Sequence, residues 1–188
     1  MRRLTGAYAR VTSDLAGVEI RLAVETDLPQ LSALVERAYS HYVNRIGRRP
    51  TPMDDDYIKR VSMGRVHVAV VGEQVVGLIV LEPCDGYLLV ENVAVDPVRQ
   101  RGGVGRTLMR FAETVAETLG LAELWLYTNE AMTENLAFYP RLGYEKVGRR
   151  NQDGFMRVFF SKRVRPSTRQ AEGVRAKETG SGAHTPCR

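Results

Sequence analysis

The sequence predicts an α/β domain built on a mixed, mostly antiparallel sheet of about six to seven strands, with helices on both faces. Three observations lead there. Runs suited to strands interleave with segments of helical period in the order β-α-α-β-β-β-α-β-α-β-β. A Val-rich run passes through a glycine cluster straight into an amphipathic helix, in "VDPVRQRGGVGRTLMRF" (95–111). With 188 residues, 44% hydrophobic and 26% charged, the chain fits one ordinary domain that can bury its own core.

Residues 1–17 lack an apolar period and read as a loose leader to a domain spanning 18–164. Residues 18–24, "VEIRLAV", alternate as a half-buried strand does. Asp27 is suited to cap the helix that follows, and Pro29 is tolerated in its first turn. Leu28, Leu31, Leu34, Val35 and Ala38 then form one helical face. "GRRPTPMDDD" (47–56) reads as a loop, and a short second helix is expected around 57–63. "VHVAVV" (66–71) and "VVGLIVL" (75–81) form a hairpin through Gly72-Glu73-Gln74. "YLLVENVAV" (87–95) follows a Cys84-Asp85-Gly86 turn. After the glycine cluster, Val104, Leu108, Phe111, Ala112, Val115 and Leu119 recur at helical spacing until Gly120 ends the run. "ELWLYT" (123–128) is a strand and 131–143 a helix, with a kink or a restart expected at Pro140. A hairpin around Asn151-Gln152-Asp153-Gly154 completes the domain, and residues 165–188 read as a disordered basic tail.

Composition narrows the function. The net charge is +5, but from Arg163 onward six basic residues stand against two acidic ones. The remainder is close to neutral, which argues against a nucleic-acid interface. No apolar run approaches the ~20 residues that span a bilayer, and none follows Met1-Arg2-Arg3-Leu4 as a signal peptide would require. Cys84 and Cys187 lie far apart, which suits a reducing, cytoplasmic setting. The three histidines (41, 67 and 184) have no paired ligand spacing, so no metal site is expected, and His67 reads as a structural residue within its strand.

The glycine cluster decides the chemistry. A Walker loop fails because Arg106 stands where Lys is needed and Gln100 where the first Gly is needed. A dinucleotide fingerprint fails because Leu108 takes the place of the third glycine. The pattern met is Q/R-x-x-G-x-G/A, through Gln100, Gly103 and Gly105. There, successive backbone amides and the partial positive charge of a helix N-terminus suit a pyrophosphate. A ligand-free glycine turn is the competing reading of these six residues.

At this point the chain resembles the GNAT superfamily of acyl-CoA-dependent N-acetyltransferases, over about residues 18–162. The likeness is carried by "ENVAVDPVRQRGGVGRTLMRFAE" (91–113) and "LYTNEAMTENLAFYPRLGYEKVGR" (126–149). The resemblance implies a sheet splayed in the middle, with the pantetheine arm of acetyl-CoA pairing into the gap. It also implies that Val93, Ala94 and Val95 hold that arm, and that Gln100, Arg101, Gly102, Gly103, Val104, Gly105 and Arg106 hold the pyrophosphate. Tyr139 matches the family's general acid near the sulfur, against a plain packing role. Asn135 would contact the cofactor arm, or else be a helix-surface amide, and Asn129 is better suited to capping. Homodimerisation is compatible with the resemblance.

The base and the acceptor rest on weaker signals. Glu91 is the first candidate for the base and Glu82 the second; either can instead be a solvent-facing strand residue. Asp54, Asp55 and Asp56 beside Tyr39, Tyr42 and Tyr57 suit a cationic amine, through charge and cation–π contact. The same carboxylates also suit the start of a helix. Two functions follow: an N-acetyltransferase acting on the primary amine of a small molecule or peptide, and a non-catalytic acyl-CoA-binding or regulatory module.

Overall fold

In chain order the strands are β1 (Arg10–Thr12), β2 (Glu19–Leu22), β3 (Val66–Val71), β4 (Gln74–Pro83), β5 (Tyr87–Val95), β6 (Glu123–Asn129), β7 (Glu145–Gln152) and β8 (Phe155–Arg163). The helices are α1 (Leu28–Ile46), α2 (Tyr57–Ser62), α3 (Val104–Thr118) and α4 (Thr133–Arg141). This computed structural model describes residues 10–12, 15 and 17–165; the tail beyond Arg165, with Cys187 and His184, lies outside them.

The strands form one sheet in the order β1-β2-β3-β4-β5-β6-β8-β7, antiparallel except for β5 and β6. Seven strands match the expected runs. The eighth, β1, falls inside the segment expected to be a loose leader, where it pairs with β2 from Arg10↔Arg21 to Thr12↔Glu19. The β7–β8 turn has Asp153 and Gly154 both at positive φ (53° and 76°), the backbone of a two-residue primed turn that suits the strand twist.

Each face of the sheet has its own core. Leu31, Leu34 and Val35 of α1 and Tyr57 of α2 pack on Val66, Val68, Leu78 and Val80. On the other face, Leu108, Phe111, Ala112 and Val115 of α3 pack with Ile79, Leu88, Leu124, Leu126 and Phe160. Asp27 does not cap α1 with its side chain. It forms a two-point ion pair with Arg21 (2.7 and 2.8 Å) and accepts the Val24 amide (2.8 Å), a stronger set of partners than one helix amide. Pro140 does not restart α4, because the helix ends one residue later at Arg141. Among the described residues no helix is long and apolar enough to cross a membrane.

His67 lies fully buried on β3, with its ring 4.8 Å from that of Phe111 and neither nitrogen hydrogen-bonded. Burial pushes its imidazole down to about 4. An unfolded chain takes up this proton near pH 6.5, whereas the folded chain refuses it until about pH 4, so the contribution to stability falls as pH drops through that window. His67→Leu is therefore expected to gain about 3 kcal/mol over wild type at pH 4 relative to their difference at pH 7, read from urea denaturation at both pH values.

Candidate active site

The sheet opens where β5 bulges. Val80 of β4 faces Asn92 and Leu81 faces Val90, which leaves Glu91 as the extra residue on β5. A bulge bends its strand and sharpens the local twist. Pairing between β5 and β6 accordingly stops at Val90↔Leu126, while β5 stays with β4 as far as Val95 and β6 with β8 as far as Asn129. The two strands diverge beyond that point, and a cleft forms between them.

At one end of the opening stands the glycine loop. Gln100 donates from its side chain to the Val95 carbonyl (3.3 Å), folding the loop back onto the strand end. Gly103 has φ 92°, a left-handed conformation natural to glycine, and its carbonyl accepts the Thr107 amide (3.0 Å) as the first bond of α3. The amides of Gly103, Val104, Gly105 and Arg106 therefore precede the helical ladder. Gly77 lets this first turn sit close to the sheet: a Cβ there would lie 3.0 Å from Leu108 and 3.1 Å from Val104. Gln100, Arg101, Gly103, Gly105 and Arg106 line a groove that continues along Val93, Ala94 and Val95. Val104 is buried and Gly102 lies outside the lining, so these two can contribute backbone only.

The groove runs into a second cavity under the bulge, sharing Tyr39, Val93 and Asn135 with it. Glu91 and Asp55 bring carboxylates to this inner cavity, and Arg157 brings a guanidinium. Glu91 accepts the Tyr127 hydroxyl at 2.7 Å. Burial, and then the Glu91 charge, push the Tyr127 phenol upward, so it stays a proton donor. Arg60 ties the carboxylates together, lying 3.1 Å from Asp55, 3.7 Å from Glu82 and 3.9 Å from Glu91.

The structure sorts the residues expected for the acceptor. Tyr39 reaches the inner cavity, with its hydroxyl 2.5 Å from Asn92 Oδ1 and 3.1 Å from the Val93 carbonyl. Asn92 in turn donates to the Tyr57 hydroxyl (2.9 Å), which donates to the Pro52 carbonyl (3.0 Å). Tyr57 thus braces the wall from behind. Tyr42 lines the outer groove beside Glu134, and burial pushes its phenol up to about 12. The acidic triplet is not a free anionic patch. Asp54 is exposed and paired with Arg49 (3.0 Å), Asp55 is held by Arg60, and Asp56 caps α2 by accepting the Lys59 amide (3.0 Å). Glu82 lies outside both lining sets, bound to Arg65 (3.1 Å) as well as Arg60.

Asn135 stands at the junction and donates to Thr128 Oγ1 (3.0 Å), while Asn129 accepts the Ala131 amide (2.9 Å) just ahead of α4. Tyr139 is 4% exposed, lies behind the walls of both cavities rather than in their lining, and packs against Tyr144 and Phe160. Burial and then the neighbouring Tyr42 phenol push its hydroxyl upward, so it too keeps its proton. It also acts electrostatically on Tyr39, which lines both cavities. Sequence reasoning missed Asn92, Tyr127 and Arg157. Two of them carried a signal, since Asn92 stands beside Glu91 in a strand run that is otherwise mainly apolar and Arg157 is the one charge within "FMRVFF". Among the described residues no group of three or more His, Cys, Asp or Glu side chains is placed to hold a metal ion.

Residues 28–144 match the family model described as "Acetyltransferase (GNAT) family". The [ribosomal protein bS18]-alanine N-acetyltransferase of Escherichia coli (strain K12) is 41% identical over 61 residues, which is 32% of this chain and 41% of that one. The chain thus matches less than half the length of the curated relatives it resembles. The crystal structure of the ribosomal-protein-S18-alanine N-acetyltransferase from Escherichia coli superposes with a TM-score of 0.60 at 19% identity, covering 81% of this chain and 97% of that one. The PaiA N-acetyltransferase of Thermoplasma acidophilum in complex with coenzyme A gives 0.63 at 17%, over 78% and 98%. At these identities the solved structures establish the fold, and the family match, which spans β3 to β6 and all four helices, establishes the lineage. The chain belongs to the acetyltransferase (GNAT) family.

Proposed function

We propose that this enzyme transfers an acetyl group from acetyl-CoA to a primary amine by direct attack in a ternary complex. One observation carries the reading. The divergence of β5 from β6 after Val90 leaves a continuous opening from the unladdered amides of α3 to the carboxylate of Glu91. The residues fit the donor: amides of Gly103–Arg106 with the Arg101 and Arg106 side chains suit a pyrophosphate, and the backbone of 93–95 suits an extended arm.

Acetyl-CoA supplies the activated acyl group. Glu91 takes the proton of the acceptor ammonium, directly or through water, and so frees the lone pair that forms the new C–N bond. Tyr139 gives its hydroxyl proton to the thiolate released as the C–S bond breaks, and the second proton that the nitrogen sheds on becoming an amide restores the hydroxyl through water. Tyr127 keeps the Glu91 carboxylate aimed across the cavity.

Acetyl-CoA is expected to raise the melting temperature, and thiol release from it should require an added amine. A shift without amine-dependent thiol release would make the chain an acyl-CoA-binding module instead. The absence of any shift with acetyl-CoA would remove the donor assignment.

A further inference from the structure

Among the described residues, Arg157 is a buried charge that lacks a close carboxylate. It is only 5% exposed and lies on β8 at the wall of the inner cavity. A buried guanidinium normally has a close carboxylate, because an unpaired buried charge is costly. Here the polar partners are distant: Thr51 Oγ1 at 3.5 Å and Asp153 Oδ2 at 3.8 Å, the latter on a side chain that is 63% exposed. The guanidinium instead stacks over the Tyr127 ring, 4.3 Å from its centroid. The hydroxyl of that same ring is bonded to Glu91. The cavity therefore presents a carboxylate and a guanidinium, held one tyrosine ring apart.

A second feature limits the size of the acceptor. The connector between α1 and α2 meets the β7–β8 turn: Arg48 donates to the Asp153 carbonyl, and its guanidinium lies 3.4 Å from the Phe155 ring centroid. Pro50, Thr51 and Pro52 of the connector and Phe155 of the hairpin all line the cavity. Their contact closes one side of it, which suits a small molecule better than an extended chain.

We propose that the acceptor is a small zwitterion of the amino-acid class, with its amine directed to Glu91 and its carboxylate held by Arg157. This deepens the acetyl-transfer reading and rests on it for the role of Glu91. The guanidinium fork matches a carboxylate in two-point geometry. A cationic group beside the cavity also disfavours simple alkylamines, which arrive as ammonium ions and carry no negative charge to meet it.

The test is calorimetric titration of the protein–CoA complex with matched pairs: alanine and ethylamine, phenylalanine and phenethylamine, lysine and cadaverine, each amino acid also as its methyl ester. Wild type is expected to bind at least one amino acid roughly 10- to 100-fold more tightly than its decarboxylated amine and its ester. Arg157→Gln should collapse that selectivity, and Arg157→Lys should restore part of it. Unaltered CoA binding reports that a variant is folded; if Arg157→Gln fails that check, the wild-type pairs and Arg157→Lys decide. Equal binding within every pair, no binding of any amino acid, or selectivity that survives Arg157→Gln would each overturn the proposal. Selective binding through Arg157 without acetyl transfer would leave the zwitterion site standing and remove the catalytic reading.

Discussion

Gly103→Glu is expected to abolish acetyl-CoA binding at concentrations that saturate the wild type. Three effects act in the same direction. Gly103 sits at φ 92°, where a residue with a Cβ is strained, so the loop presenting the amides would shift. The new carboxylate stands at the mouth of α3 and satisfies the free amides that would otherwise meet a phosphate. It also repels the pyrophosphate at close range. Each amide or dipole interaction with an anion contributes about 0.3–1 kcal/mol, and up to ~2 when partly buried. Losing several of them corresponds to roughly a 30- to 1,000-fold rise in Kd. Gly103→Asn is the control, since Asn tolerates the left-handed region and adds no charge. It should keep most of the affinity, measured by calorimetry alongside the thermal shift. Undiminished binding by the glutamate variant would move the pyrophosphate away from this loop.

How much was legible in the sequence depended on whether a signal was local. The strands 66–71, 75–81 and 87–95 announce themselves by apolar content and punctuation, and all three lie where expected. β1 does not, because three residues joined to β2 by backbone pairing leave no side-chain period to read. Asp27 stands before a helix, so capping was the natural expectation. Its actual partner, Arg21, belongs to the neighbouring strand and becomes visible only once strand and helix are brought together. The acidic triplet misled for a related reason. Arg49 and Arg60, five residues from Asp54 and Asp55 on either side, neutralise charges that looked available for an amine. The bulge at Glu91 is a matter of register between two strands, and no single strand encodes it. Arg157 was conspicuous as the one charge within "FMRVFF", yet its meaning lay in Tyr127 and Thr51, on other elements.

Glu91→Gln is expected to lower kcat by about 10²- to 10⁴-fold while leaving the affinity for acetyl-CoA unchanged. The substitution suits the question because the amide oxygen can still accept the Tyr127 hydroxyl, so the local geometry is kept while the basic group is removed. Arg60 loses one distant partner at 3.9 Å but keeps Asp55 at 3.1 Å, which limits the structural cost. What disappears is a group able to take a proton from the bound ammonium. The defect should therefore depend on pH in a particular sense. Alkylamines lose their own proton only around pH ~10, and α-amino groups near ~8. As pH rises towards those values, a growing share of acceptor arrives already neutral, and the variant should recover toward wild type. A variant damaged by misfolding would not recover in that way. A loss that stays constant from pH 6 to pH 10, or no loss at all, would assign the proton to another group. Glu82 is poorly placed to take over, being bound to Arg60 and Arg65 outside both cavities.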